Sequence, residues 1–239
     1  MRKLKIILAL VVIAMASFTM TSCMDCIQGK GDVKTRSLPL EEFSGIKLNA
    51  NADVYLVSDS IKEIKVEAQD NVADNLELKV RNGSLRIRFR DCVDTKSPVK
   101  IFIPAKLIED LQINGSGNIE TSSVMNVKTL SLRINGSGNL RLKLNAETIF
   151  SEINGSGSIY LDGSAKRHKT QINGSGNLEA IGLATGQTEI TVNGSGSCKV
   201  FAITKLEVLV RGSGDVVYKG TPDISTSIKG SGSVNKLEN

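Results

Sequence analysis

Polar and apolar residues alternate along most of this chain, and the alternation is punctuated by seven Gly-Ser-Gly tripeptides. Just before the tripeptides it runs Leu111-x-Ile113, Leu132-x-Ile134, Ser151-x-Ile153, Thr170-x-Ile172, Ile190-x-Val192, Val208-x-Val210 and Thr226-x-Ile228. Just after them it resumes at Ile119, Leu140, Ile159, Leu178, Cys198, Val216 and Val234. A period of two carried by β-branched and aliphatic residues predicts strands with one buried face. Helical spacing is absent between Leu111 and Val234. The tripeptides begin at Gly115, Gly136, Gly155, Gly174, Gly194, Gly212 and Gly230, with offsets of 21, 19, 19, 20, 18 and 18. A period near twenty that tolerates an extra residue predicts a solenoid, one coil per repeat.

The glycine pairs Gly115/Gly117, Gly136/Gly138, Gly155/Gly157, Gly174/Gly176, Gly194/Gly196, Gly212/Gly214 and Gly230/Gly232 mark the corners. Both glycines are expected to supply backbone angles, positive φ among them, that a side chain would penalise. The predicted fold is all-β, a right-handed parallel β-helix with coils of about 18–21 residues. Six steps of strand spacing make it a rod about 29 Å long from first corner to last. Asn114, Asn135, Asn154, Asn173 and Asn193 precede corners and predict a ladder of stacked amides, which Arg211 and Lys229 then end. Upstream, Ala50-Asn51-Ala52 reads as a degenerate corner. Alternation continues at Ile64–Val66, Leu76–Val80, Leu85–Phe89 and Val99–Ile103, and Asn82-Gly83 is a hairpin-turn signal. The expected organisation is a signal segment over 1–22, a tether over 23–40 and a single β-helix domain over 41–239. Within that domain, 41–110 form less regular first coils with a short hairpin cap, and 111–239 form the repeats.

The N-terminus changes the picture of charge and compartment. Arg2, Lys3 and Lys5 precede an apolar run from Ile6 to about Ala16, too short to cross a bilayer as a helix. Met20-Thr-Ser-Cys23 then resembles a bacterial lipobox, so Cys23 is expected to carry lipid. The protein is expected in the bacterial cell envelope, anchored at the outer membrane. Removing residues 1–22 leaves 27 positive residues against 25 negative, a net of +2. That balance implies no nucleic-acid partner. Of the remaining cysteines, Cys198 occupies an aliphatic slot and is read as buried, leaving Cys26 and Cys92 as the plausible disulfide. Cys23-Met-Asp-Cys26 lacks a second ligand pair, so no metal is expected.

Candidate chemistry is sparse. The corners lack the Lys and Ser/Thr of a phosphate-binding loop, and only Asp215 among the post-corner residues could serve calcium. No cofactor is expected. The single histidine, His168, lies in Lys166-Arg-His-Lys169, read as a solvated basic loop, with a patch that meets anionic glycan or lipopolysaccharide as the functional alternative. Glu189 and Glu207 are the one pair of carboxylates at matching offsets from the corners of successive coils. They carry the alternative reading of a carbohydrate-active enzyme, a lyase or hydrolase. The leading reading is a non-enzymatic envelope protein, an adhesin or interaction scaffold, whose partner is an envelope protein or glycan. After Gly232 only seven residues remain, too few for a coil. The C-terminal edge is therefore expected either to pair with a second copy or to be guarded by Lys229, Lys236 and Glu238.

The recurring Ile-Asn-Gly-Ser-Gly, the opening Phe43-Ser-Gly-Ile-Lys-Leu-Asn49 and the lead-in Ile103-Pro-Ala-Lys-Leu107 resemble the head GIN domain family of auto-transporter adhesins. The resemblance spans about residues 40–235. It implies the repeat fold and a surface role, and it brings no catalytic residues. The lipobox, in place of a translocator barrel, implies a chain that does not transport itself.

Overall fold

The computed structural model describes residues 26–39, 41–57, 63–104 and 108–238. The signal segment and Cys23 lie outside the described residues. The chain forms β1 (Ile27–Gln28), β2 (Val33–Pro39), β3 (Gly45–Asn49), β4 (Asp53–Val57), β5 (Glu63–Gln69), α1 (Asp70–Asn75), β6 (Leu76–Arg81), β7 (Ser84–Phe89), β8 (Val93–Asp94) and β9 (Lys100–Pro104). It continues as β10 (Asp110–Gly115), β11 (Asn118–Thr121), β12 (Met125–Gly136), β13 (Asn139–Gly155), β14 (Ser158–Gly174), β15 (Asn177–Gly194), β16 (Ser197–Gly212), β17 (Asp215–Lys219), β18 (Asp223–Gly230) and β19 (Ser233–Lys236). The result is an all-β solenoid of about seven turns.

Corner-to-corner register builds the core. Parallel pairing stacks Ile101, Val54, Ile119, Leu140, Ile159, Leu178, Cys198, Val216 and Val234 in one inward column. Ile87, Leu48, Ile113, Ile134, Ile153, Ile172, Val192, Val210 and Ile228 form a second. Most of these side chains are fully buried. No coil could bury its own face, so stability belongs to the stack.

The two corner glycines do different jobs, which corrects the expectation that both supply positive φ. The first of each pair has φ between +127° and +140°, a region L side chains avoid. The second of each pair, Gly117, Gly138, Gly157, Gly176, Gly196, Gly214 and Gly232, is not among the residues with positive φ. It is demanded by crowding on the inner side of the corner instead. A Cβ at Gly138, Gly157, Gly176, Gly196, Gly214 or Gly232 would sit 2.2–2.7 Å from a carbonyl oxygen of the previous corner. At Gly138, Gly157, Gly176 and Gly196 it would also sit 2.5–2.7 Å from the Cγ2 of an isoleucine in the inward column. Gly117 meets the same obstacle from the degenerate corner Ala50-Asn51-Ala52. A Cβ there would lie 2.5 Å from the Ala50 carbonyl oxygen, 2.9 Å from that of Ala52 and 2.6 Å from Leu48 Cδ2. The first glycine of each pair is required by torsion, and from Gly136 onward also by a carbonyl oxygen of the previous corner 2.1–2.5 Å from its Cβ position, whereas the second is required by space alone.

Outside the corner the amides form a ladder. Asn114 Nδ2 donates to Asn49 Oδ1 (2.5 Å), Asn135 to Asn114 (2.8 Å), Asn154 to Asn135 (3.0 Å), Asn173 to Asn154 (2.7 Å) and Asn193 to Asn173 (2.9 Å). The Arg211 guanidinium adds one more rung, donating to Asn193 Oδ1 at 3.2 Å.

At the N-terminal end, coil order departs from chain order. β3 and β4 pair with β10 and β11 on one side, and with β7 and β9 on the other. The coil written first in the sequence is thus the second in space. Beyond β7 and β9 the pairing turns antiparallel: β6 with β7, β5 with β9 and β2 with β5. Asn82 (φ 51°) and Gly83 (φ 72°) make the tight turn between β6 and β7, as a two-residue hairpin with both central residues left-handed requires. α1 packs on β5 and β1 and places Val72, fully buried, in the core.

Residues 33–39, expected as tether, are instead the edge strand β2. Six of its seven positions are exposed, so it carries no alternation that would announce a strand. Side chains hold it in place: Arg36 contacts Asp70 (2.8 Å) and Asp74 (2.6 Å), and Lys34 reaches Asp70 (2.5 Å). Cys26 and Cys92 form a disulfide, and β1 pairs with β8 beside it.

Candidate functional site

A groove of about 410 Å³ runs along the outside of β12–β16. Its walls are two outward rows set by strand register. One row is Thr129, Thr148, Arg167, Gln187 and Lys205. The other includes Phe150, Lys169, Glu189 and Glu207. The intervening inward positions are Ile149, His168, Thr188 and Leu206. Phe150 is 45% exposed and carries the only phenyl ring in the groove lining. The remaining wall residues offer hydroxyls, an amide, cations and carboxylates. A groove crossing five adjacent strands suits an extended ligand lying along the rod axis.

The structure brings Glu189 and Glu207 side by side on adjacent coils. Each is tied to a lysine: Glu189 to Lys169 at 2.7 Å, and Glu207 to Lys205 at 2.5 Å. These pairs spread charge along the groove wall rather than leaving two free carboxylates across a gap.

His168 is not in a solvated loop. It is an inward residue of β14, 2% exposed. The signal was present: counting back by twos from Ile172 through Thr170 reaches His168, so the alternation itself turns it inward. Its Nε2 lies 2.9 Å from Ser151 Oγ and 3.0 Å from Thr170 Oγ1. Its Nδ1 has no partner and is the one such buried side-chain atom among the described residues. Burial pushes its pKa down to about 4, so the ring is neutral at pH 7. Ser151 and His168 make the nucleophile–base contact of a hydrolase. No carboxylate reaches Nδ1, however, and both residues are enclosed. The contact satisfies polar groups in the core and has no oriented base to activate the serine.

The other sequence-marked residues fall elsewhere. Cys198 is a buried free thiol whose pKa is pushed up to about 12 by burial, and such a thiol is chemically inert. The corner glycines run along one edge of the rod and present no ligand-binding side chains. Among the described residues, no group of three His, Cys, Asp or Glu could hold a metal ion. Sequence reasoning missed Phe150 and Gln187 as wall residues, because outward positions carry no burial pattern to mark them.

Comparison with solved structures places this architecture among known folds. A putative adhesin from Bacteroides fragilis is 24% identical, with TM-score 0.81, covering 88% of this chain and 100% of its own. A second structure, named a putative lipid binding protein, from Parabacteroides distasonis, is 26% identical with TM-score 0.75, covering 90% of this chain and 100% of its own. A putative adhesin from Parabacteroides merdae is 20% identical with TM-score 0.70, covering 90% and 100%. No curated protein is significantly similar to this chain. The sequence pattern of one family matches residues 42–222, from the first coil almost to the last, and the chain therefore belongs to the family described as "Putative auto-transporter adhesin, head GIN domain".

Proposed function

We propose that this protein is a non-enzymatic adhesion or interaction scaffold of the bacterial cell envelope, held at the outer membrane by lipid on Cys23. The groove of β12–β16 is its binding face, and its ligand is a glycan chain or an extended segment of another envelope component. One observation carries the reading: an exposed ring at Phe150 stands among hydrogen-bonding side chains that repeat at coil spacing along five adjacent strands. Aromatic faces with polar flanks suit sugar rings. The family description supports a surface role.

The test is binding of the purified protein to an array of host and bacterial polysaccharides, with Phe150→Ala as the comparison. Binding that falls about tenfold in Phe150→Ala with an unchanged melting temperature supports the groove. Binding indifferent to Phe150 and to Gln187→Ala overturns it. Turnover of any polysaccharide would replace this reading with the enzyme, with Glu189 and Glu207 as its carboxylates. The anchor has its own test. Cys23→Ser should move the protein from the membrane to the soluble fraction, and retention at the membrane overturns acylation.

A further inference from the structure

Ion pairing differs between the body of the rod and its N-terminal cap. Along the coils, outward cations meet carboxylates of neighbouring coils: Arg133 with Glu152, Lys166 with Glu147, and Lys199 with Glu179. On the hairpin β6–β7 and its neighbour β3, cations meet cations. Lys47 of β3 is opposite Arg86 of β7, and Arg86 is opposite Lys79 of β6. All three point outward. Like charges directly opposite on paired strands are destabilising. Arg81 and Arg88 extend the same face. Glu77 is the single carboxylate lining the 340 Å³ hollow there, and it is spanned by Lys79 and Arg88. Among the described residues, Lys47, Arg81 and Arg86 make no ion pair.

We infer that this cationic face docks on the phosphate groups of anionic lipids at a membrane surface. Three observations favour a membrane over a soluble anion. The cations are spread over a two-stranded ribbon and the adjoining strand rather than converging on one point, as an array of headgroups requires. It lies on the outermost strands of the N-terminal end. The Cys26–Cys92 disulfide fixes the start of the described chain close after β7, at this same end. A lipid on Cys23 would sit only three residues before that disulfide. A basic face beside an acyl anchor supplies the second signal that stable membrane attachment needs. Each cation near an anionic surface strengthens attachment roughly fivefold. The placement argument rests in part on the anchor reading, and the experiment is therefore done without acylation.

The test is flotation of the exported Cys23→Ser protein with vesicles of phosphatidylcholine alone or mixed with phosphatidylglycerol. Inorganic phosphate serves as the soluble competitor. Expected is at least about tenfold stronger partition onto the anionic vesicles, lost at high salt and little affected by phosphate. Arg86→Glu is the decisive variant. It should remove most of this binding while raising the melting temperature, because a carboxylate there pairs with Lys47 and Lys79. Lys199→Glu, the same charge change on the body of the rod, should leave binding near wild type. Equal partition onto neutral vesicles, equal loss in the two variants, or displacement by dilute phosphate would each overturn the proposal.

Discussion

The two ends of the rod solve the same problem in opposite ways. At the N-terminal end the last inward layer is closed: Val72 of α1 is fully buried, and a hairpin, an antiparallel edge and a disulfide surround it. At the C-terminal end it is open. β18 continues the register of β16 residue by residue, yet all eight of its positions are exposed. Ile224 and Ile228 stand where Leu206 and Val210 are buried one coil earlier, and they are 44% and 41% exposed. A residue in this fold is thus buried by the coil that follows it as much as by its own. The same sequence pattern yields core in the middle and edge at the end.

The comparison can be broken most severely at a mid-rod corner. Gly157→Val would drive a branched side chain into the Gly138 carbonyl at 2.4 Å and Ile134 Cγ2 at 2.7 Å. The expected cost is on the order of 5 kcal/mol, read by urea denaturation. Gly232→Val, at the same place in its corner, meets a carbonyl oxygen at 2.2 Å but lies in the terminal coil, which can lift away, and it should cost under about 1 kcal/mol. Equal costs at the two sites would deny that the ends and the middle differ.

Removing the N-terminal closure comes next. The Cys26–Cys92 disulfide closes a loop with a separation of 66 residues. The double variant Cys26→Ser/Cys92→Ser should lose about 4 kcal/mol, and hydrogen exchange should rise first in β1, β2 and β8. Exchange that rises first in β18 would show the C-terminal end to be coupled to the cap.

Acid tests the interior between them. The folded state holds His168 neutral, well below the ordinary histidine value, so the unfolded chain binds the proton more readily. Stability is full above about pH 6.5 and falls as pH drops toward about 4, by roughly 3 kcal/mol. The triple variant Ser151→Ala/His168→Leu/Thr170→Val should lose this acid sensitivity while keeping its stability at pH 7. Persistent sensitivity in the triple variant would assign it to carboxylates elsewhere.

The smallest expected change in stability is at the open end. Ile224→Lys/Ile228→Lys should alter monomer stability by under about 0.5 kcal/mol. Pairing of two chains at their C-terminal edges, by contrast, should disappear from light scattering. Persistence of a dimer in that variant would place its interface elsewhere, and a strict monomer in the wild type would leave charge as the guard of the edge.

These regions also differ in how much could be read from sequence. The repeats announce themselves because alternation, Gly-Ser-Gly and asparagine recur together, and each reports a local demand of torsion, burial or hydrogen bonding. Three things were hidden. The order of the first coils depends on β3 choosing β7 and β10 as neighbours, a pairing across dozens of residues that no local pattern encodes. β2 is an edge strand exposed on both faces, so it lacks the one-sided burial that makes a strand visible. The need for glycine at Gly117 and Gly157 comes from a carbonyl one coil away, which exists only once the stack is assembled. The groove was harder still, since its wall residues are defined by which outward positions share a row.

The asparagine ladder has a direction, and its direction makes the rod countable. Every rung from Asn114 to Arg211 donates toward the N-terminal neighbour, and each asparagine from Asn114 to Asn193 accepts from the C-terminal one. A shift of a single residue would put every amide against the wrong partner. A shift of one whole coil restores all of them. Length in this protein is therefore quantised: a gene can add or delete an entire repeat and keep the hydrogen bonding intact, whereas a shorter insertion must be absorbed by a bulge away from the corner, as it is between Ala180 and Ala184 of β15. How far the groove reaches from its cap is then a whole number of copies.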